Sequence, residues 1–157
     1  MSLLIINQNF IEHLRLHEWP YIITENQSVI LSEDIIITKS YKFFKIIGNG
    51  VIFDGNKCTV TILANNYHGL IQSDGFDETL VKNFIISNKL IDRNKHGSLS
   101  ENAGWLCQNN KNKIIECINN TENNDKENND KNNLASNTLC NLNETQYVNG
   151  WRHLWKP

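Results

Sequence analysis

The sequence predicts an all-β fold in which short strands stack in successive coils, and two observations lead to this prediction. The first is composition: 26 of the 157 residues are Asn and 20 are Ile, whereas only two are Pro. Isoleucine favours pleated surfaces, and asparagine favours turns and left-handed corners. The second is that the apolar residues from 21 to 118 occur in runs of only about three to six residues, bounded by polar turns. Many short strands joined by tight turns account for both observations.

The apolar runs define the predicted strands. They span residues 21–24, 29–31, 35–38, 43–47, 51–53, 59–63, 69–72, 80–87, 104–108 and 113–118. Turn segments such as Gly48-Asn49-Gly50 and Asp54-Gly55-Asn56-Lys57 separate them. Alternation in runs such as 29–31 directs two residues of each short strand to one face. The spacing leaves no room for a helix between strands, so a doubly wound sheet is excluded.

Some of these runs repeat along the chain. Gly69-Leu70-Ile71-Gln72 is echoed by Gly104-Trp105-Leu106-Cys107-Gln108, and Asn83-Phe84-Ile85-Ile86 is echoed by Asn112-Lys113-Ile114-Ile115. A coil of about 22 residues with three short strands accommodates these repeats, and residues 21–118 then supply about four to five coils. Stacked coils pair each strand in parallel with its equivalents above and below, and their inward residues form dry columns.

Residues 1–20 are predicted to form an N-terminal cap that contains a short helix over 9–19. Asn9 is the predicted N-cap of this helix, and Pro20 ends the pattern. A small apolar face at spacings of three and four requires the helix to pack on the first coil.

Residues 119–133 contain no apolar side chain, and Glu-Asn-Asn-Asp-Lys occurs twice in succession there. Nothing in this segment offsets the entropy of ordering, so we expect a disordered linker. The remaining residues, 134–157, are expected to form a C-terminal tail or a cap over the end of the stack.

Three segments carry a resemblance to a known family: Trp19-Pro20-Tyr21-Ile22-Ile23, Val51-Ile52-Phe53-Asp54-Gly55-Asn56 and Thr59-Val60-Thr61-Ile62. With these segments, residues 19–118 resemble right-handed parallel β-helix proteins of the pectin-lyase-like kind. The likeness is greatest to the mostly uncharacterised proteins that giant amoeba-infecting viruses encode, whose later coils carry Gly-Trp-x-Cys-Gln units like residues 104–108. The resemblance implies a short right-handed parallel β-helix, but a fold alone transfers no activity. After Ile118 the chain departs from the pattern.

Acidic residues supply the candidates for catalysis. Polysaccharide-cleaving β-helices use carboxylates, and a hydrolase needs two at a fixed separation, one of them held protonated. A lyase would instead need carboxylates that bind Ca²⁺ and a basic proton acceptor, for which Lys82 or Arg93 would serve. The candidate acids are Asp54, Asp74, Asp77 and Glu78. The competing interpretation, which we favour, is that the Asp-Gly dipeptides at Asp54 and Asp74 only form turns.

Exposed tryptophans on rigid strands suit the faces of sugars, and Trp105, Trp151 and Trp155 are the candidates for a glycan platform. For Trp105 we favour packing in the core. The two tail tryptophans flank Leu154, so they could form a small adhesive motif.

No metal site or cofactor site is predicted. His13 and His17 lie four residues apart on the predicted helix, a spacing that can chelate zinc, but the only acid nearby, Glu18, is displaced around the helix. Cys107 is expected to be buried in an inward column. No glycine-rich phosphate loop precedes a helix.

Charge and hydropathy exclude two classes of partner. The formal net charge is −2, from 15 basic and 17 acidic residues, which argues against nucleic-acid binding. No apolar run is long enough to span a membrane, and residues 1–7 lack the features of a signal peptide. We therefore expect an intracellular setting, the host cytoplasm or a virion, and a glycan or protein partner. The sequence leaves the oligomeric state open.

These observations predict a non-catalytic structural or interaction protein, virion-associated or glycan-recognising. The first alternative is a carbohydrate-active hydrolase or lyase that uses the four candidate acids. The second alternative is a truncated paralogue with no activity of its own.

Overall fold

The computed structural model describes residues 2–14, 20–73, 79–90, 96–100, 104–108, 113–121 and 146–147. Within these residues the chain forms one short helix and fourteen strands. The helix is α1 (Gln8–His13), and the strands are β1 (Leu3–Ile6), β2 (Tyr21–Ile23), β3 (Ser28–Leu31), β4 (Ile35–Ile37), β5 (Phe44–Ile46), β6 (Ile52–Asp54), β7 (Thr59–Ile62), β8 (Ile71–Ser73), β9 (Leu80–Lys82), β10 (Ile85–Ser87), β11 (Cys107–Gln108), β12 (Lys113–Ile115), β13 (Ile118–Asn119) and β14 (Gln146–Tyr147).

The strands form three sheets in which every strand pair is parallel. Sheet 1 has the order β1-β3-β6-β9-β12-β14, sheet 2 the order β13-β10-β7-β4, and sheet 3 the order β11-β8-β5-β2. From β3 to β13 successive strands belong to sheets 1, 2 and 3 in turn, and this order repeats. The described part of the chain is thus mostly parallel sheet with one short helix, which agrees with the predicted all-β class.

The distance along the chain between paired strands grows toward the C-terminus. In sheet 1, Ser28 pairs with Ile52, Ile52 with Leu80 and Leu80 with Lys113, and each of these steps along the chain is longer than the one before it. Even the first step exceeds the predicted repeat of about 22 residues, so that repeat is too short. The extra residues lie in the connections, because the strands themselves remain short throughout.

Two predicted strands are each split by a left-handed corner. The predicted strand 80–87 is two strands, β9 and β10, because Asn83 between them has φ +61°. The predicted strand 113–118 is likewise divided into β12 and β13 at Glu116, whose φ is +54°. A single left-handed residue redirects the chain without Gly or Pro, so the turn signals of the sequence missed both corners.

The helix begins earlier and ends sooner than the predicted range 9–19. Its N-cap is Asn7 and not Asn9, because the Asn7 side chain accepts a 2.8 Å hydrogen bond from the Phe10 N–H. The helix ends at His13, and Leu14 is already extended, with ψ 125°. Residues 15–19 of the predicted helix lie outside the described residues.

The buried core runs through the stack of strands. Val29, Phe53, Val81 and Ile114 occupy one register in successive strands of sheet 1, and each is buried. The ring of Phe53 lies 5.3 Å from that of Phe44 on sheet 3, measured between ring centroids. Cys107 is also fully buried, which confirms its predicted place in the interior.

The observed sheets extend past two of the predicted segment boundaries. β1 pairs with β3, so sheet 1 begins within the predicted cap 1–20. β13 includes Asn119, so sheet 2 extends into the predicted linker 119–133. The rest of that linker after residue 121, and the tail 134–157 apart from β14, lie outside the described residues. None of the helices in the described ranges has the length and apolar character to cross a membrane.

Candidate binding cavity and the acidic corner

Asp54 lies at the end of β6, where the chain turns from sheet 1 to sheet 2, and it is half-buried. Its Oδ1 atom accepts a 2.7 Å hydrogen bond from the Asn56 N–H and a 3.2 Å bond from the Asn83 side-chain amide. The first bond is an Asx turn, and the second ties this corner to the next one. Asp54 therefore has the contacts of a turn residue, as the favoured interpretation of the Asp-Gly dipeptide requires.

Two neighbouring carboxylates also accept backbone N–H groups. Asp34 Oδ1 accepts from the Thr59 N–H at 2.7 Å, and Glu33 Oε2 accepts from the Gln8 N–H at 2.9 Å. Both bonds join residues 25 positions apart, so they hold neighbouring layers of the stack together. These acids organise the corners through charge-assisted hydrogen bonds.

Cys58 lies beside this acidic corner and is a free thiol. Burial raises the pKa of the Cys58 thiol, and the negative charges of Asp34, Asp54 and Glu33 raise this pKa further. A thiol whose pKa is raised stays protonated at neutral pH, and the protonated form is a poor nucleophile. The corner is thus built for structure and not for thiol chemistry.

Of the other catalytic candidates, the structure describes Lys82 alone, and Lys82 lies beside Asp54. Asp74, Asp77, Glu78 and Arg93 lie outside the described residues, so the convergence of the four acids stays a prediction. Lys82 is described, and it is the Cα partner of Asp54 across the β6–β9 pair.

Of the three candidate tryptophans, only Trp105 is described. Its side chain is 2% exposed, which places it in the core and leaves no ring face for a sugar. Trp151 and Trp155 lie outside the described residues.

The histidine pair does not assemble a site in the described part of the chain. His13 is described, and its Nδ1 makes a 2.8 Å hydrogen bond with the Asn9 carbonyl, whereas His17 lies outside the described residues. No three His, Cys, Asp or Glu side chains within those ranges are grouped to hold a metal ion.

A cavity of about 690 Å³ lies between α1 and the connection from β4 to β5. Its floor is apolar, because Ile11, Leu14 and Phe43 are all buried, and Ile36 at 38% exposed forms one side. The described residues that line the cavity are Gln8, Ile11, Glu12, Leu14, Ile36, Thr38, Lys39, Tyr41 and Phe43.

Gln8 fixes the position of the helix against the cavity. Its side-chain amide donates to the Ile36 carbonyl at 2.9 Å and accepts from the Ile36 N–H at 2.7 Å, as a neighbouring strand would do. The same amide donates to Glu12 Oε2 at 3.0 Å, one turn further along α1. Among the described strands β4 is the last of sheet 2 on this side, so Gln8 covers its edge and holds one wall of the cavity in place.

The cavity combines an apolar floor with polar and charged groups at its rim, and this mixture is typical of pockets that bind small ligands. The Glu12 carboxylate and the Lys39 ammonium provide one charge of each sign. The described lining holds a single carboxylate, whereas hydrolysis of a glycosidic bond needs two.

Sequence reasoning missed this cavity. The apolar face of the helix, with Ile11 and Leu14, indicated that the helix packs on the first coil. It did not indicate that β4 is the partner or that the connection after β4 forms the opposite wall, because both depend on tertiary contacts.

When the chain is compared with protein-family models, with curated proteins and with solved structures, no significant match is found in any of the three.

Proposed function

We propose that the protein is a non-catalytic interaction protein built on a short right-handed parallel β-helix, and that it binds a glycan in the cavity beside α1. The observation that carries the proposal is this cavity of about 690 Å³, with its apolar floor and mixed polar rim.

Three features support the β-helix scaffold. The strand pairs are parallel, the chain visits the three sheets in a fixed order, and from β3 to β12 each strand of sheet 1 pairs with its equivalent in the next layer. Connections between parallel strands of one sheet are right-handed in about 98% of cases, which supports the right-handed sense of winding.

The aromatic wall of the cavity supports a glycan as the ligand. The Tyr41 ring is half-buried and tilted by 46° to the Phe43 ring, with 6.0 Å between their centroids. A fixed aromatic ring offers a face for the C–H groups of a sugar. Glu12, Thr38 and Lys39 place carboxylate, hydroxyl and ammonium groups around it, and sugar hydroxyls can bond to each of these.

The contacts of the acidic corner support a role without catalysis. Asp54 is engaged in turn hydrogen bonds, and the raised pKa of Cys58 disfavours its thiolate. A place in a virion, which the resemblance to virus-encoded proteins implies, stays a prediction.

The test is a glycan array probed with the purified protein, followed by calorimetric titration of any glycan that binds. Lys39→Met and Glu12→Gln are each expected to weaken binding about tenfold or more, because each removes a charged hydrogen-bond partner. Lys45→Met is the matched control, since Lys45 lies in β5 and does not line the cavity. An array without binding, or equal losses in all three variants, would contradict the proposal, and release of reducing sugar from a bound glycan would contradict its non-catalytic part.

A further inference from the structure

The strand β1 forms one edge of sheet 1 and carries exposed apolar side chains. Among the described strands it is the last of sheet 1 on this side, and its sheet partner there is β3. Leu3 and Ile5 of β1 are 59% and 53% exposed. At the same end of the stack Gln8 covers the edge of β4. Within the described ranges α1 thus protects the edge of sheet 2, whereas these two residues of sheet 1 face solvent.

The backbone groups of β1 point alternately toward β3 and away from it. The carbonyl oxygens of Ser2 and Ile6 accept hydrogen bonds of 3.1 and 2.9 Å from the N–H groups at the start of β3 and just after it. In a parallel pair every second residue of a strand bonds to the same neighbour, so the N–H and C=O groups of Leu3 and Ile5 point away from β3. Backbone groups that point outward from a sheet edge are a template for a further strand.

The spacing of these outward groups is self-complementary. When a second copy of β1 lies antiparallel to the first, a two-fold axis beside Leu4 sets Leu3 of each copy opposite Ile5 of the other. Opposed residues whose backbone groups face each other exchange both N–H···O bonds, so the two Leu3–Ile5 pairs supply four hydrogen bonds. Leu4 lies opposite its own equivalent, in the closer pair without hydrogen bonds between them. One arrangement therefore satisfies the outward groups of both strands.

The side chains of β1 also fit a second copy of the same strand. A two-fold contact brings a strand next to its own equivalent, so a charge in β1 would face a like charge. β1 is Leu-Leu-Ile-Ile, with neither a charge nor the proline that commonly protects an exposed edge. The pairing sets Leu3 beside Ile5 on the outer face and brings the half-buried Leu4 side chains together on the inner face. Every side-chain contact across the pair is thus apolar.

We propose that the protein forms a two-fold dimer in which the β1 strands of two copies pair in antiparallel fashion, so that sheet 1 continues through both copies. Two strands of four residues bury less than the roughly 1,000 Å² of a stable interface, so a weak dimer is expected, with a Kd of about 0.01–1 mM. The inference does not depend on the proposed glycan, because no residue of β1 lines the cavity.

Sedimentation velocity of the purified chain, from about 10 μM to about 2 mM, tests the dimer. The expected result is a shift from monomer to dimer as the concentration rises. Ile5→Lys is expected to raise the Kd about tenfold or more, because a lysine at a sheet edge opposes strand addition. Ile52→Lys is the matched control and is expected to leave the Kd unchanged, since Ile52 is exposed on the same face of sheet 1 but lies in β6, away from the edge. A chain that stays monomeric throughout, or equal losses in both variants, would overturn the inference.

Disulfide trapping tests the register of the pair and remains decisive even when Ile5→Lys does not fold. Leu4→Cys is expected to give a disulfide-linked dimer under mild oxidation, because the two Leu4 Cα atoms lie about 4.5 Å apart in the proposed pair. Leu3→Cys is the matched control: its equivalent lies two residues further along the opposite strand, beyond the reach of about 7 Å. It is expected to give no more linked dimer than the unmodified chain, which reports on the native cysteines. Equal cross-linking of Leu4→Cys and Leu3→Cys would overturn the inference.

Discussion

Replacement of Gln8 by alanine tests how α1 is held on sheet 2. The change removes both hydrogen bonds between the Gln8 amide and the backbone of Ile36, of 2.9 and 2.7 Å. Each such bond contributes about 0.5–1.5 kcal/mol net, and water can replace part of that at a partly exposed edge, so we expect a loss of about 1–2 kcal/mol. Alanine and glutamine have similar helix propensities, so the helix itself adds little to this change.

Urea unfolding followed by far-ultraviolet circular dichroism measures this loss as a change in the free energy of unfolding. In thermal unfolding, about 1 kcal/mol lowers Tm by roughly 2–4 °C for a chain of this size, so Gln8→Ala is expected to lower Tm by about 2–8 °C. The Ile36 amide is expected to exchange faster in the variant, because its acceptor is lost.

Two further variants isolate the contact between Gln8 and Ile36. Glu12→Ala removes the 3.0 Å bond from Gln8 to Glu12 but keeps the two bonds to Ile36, so its effect is expected to be small. Gln8→Glu keeps an acceptor for the Ile36 N–H but sets an ionised carboxylate against the Ile36 carbonyl, and it is expected to resemble Gln8→Ala at pH 7. Equal stabilities of Gln8→Ala and Glu12→Ala, with unchanged exchange at Ile36, would show that the Gln8–Ile36 hydrogen bonds do not hold α1 on sheet 2.

Three other substitutions follow from individual contacts. Glu116→Gly is expected to raise the free energy of unfolding by about 0.5–1 kcal/mol, because relief of the strain at φ +54° exceeds the entropy cost of glycine; Glu116→Gln keeps the strain and is expected to be neutral in the same urea titration. Tyr67→Phe removes a buried hydroxyl that has no hydrogen-bond partner in the described part of the chain, and is expected to stabilise by about 1 kcal/mol. Burial also raises the pKa of Tyr67 well above its ordinary value, so above about pH 10 the unfolded chain releases a proton that the folded chain retains. The unmodified protein therefore loses stability as pH rises past that point, and Tyr67→Phe is expected to lose less; equal losses between pH 7 and pH 10.5 would be inconsistent with this. Gly55→Ala would place a Cβ 2.6 Å from the Asn83 carbonyl oxygen and is expected to destabilise by about 1–3 kcal/mol, so an unchanged urea midpoint would count against the close approach of these two corners.

The strands could be predicted from the sequence because their signal is local. In β3 burial alternates, with Val29 and Leu31 buried, and in β7 the alternating apolar residues Val60 and Ile62 are both buried. The corners at Asn83 and Glu116 could not be predicted in this way, since one left-handed residue inside an apolar run leaves no Gly or Pro signal. The start of α1 was missed because Asn7 and Asn9 are equally good N-caps by residue type, and only the geometry selects Asn7.

The candidate site depends on contacts between distant segments, and sequence reasoning found less of it. The Asp-Gly signal at Asp54 correctly indicated a turn, and the Trp105 pattern correctly indicated a core residue. The cavity required knowledge that Gln8 meets Ile36, 28 residues away, and no pattern of spacing indicates that contact.

Nuclear Overhauser contacts between side-chain protons test the central claim, the parallel stacking of strands, most directly. Contacts are expected from Val29 to Phe53 and from Phe53 to Val81, because these residues are distant along the chain but directly paired in adjacent parallel strands. Close Hα–Hα contacts between consecutive strands such as β3 and β4, the pattern of antiparallel hairpins, would contradict it.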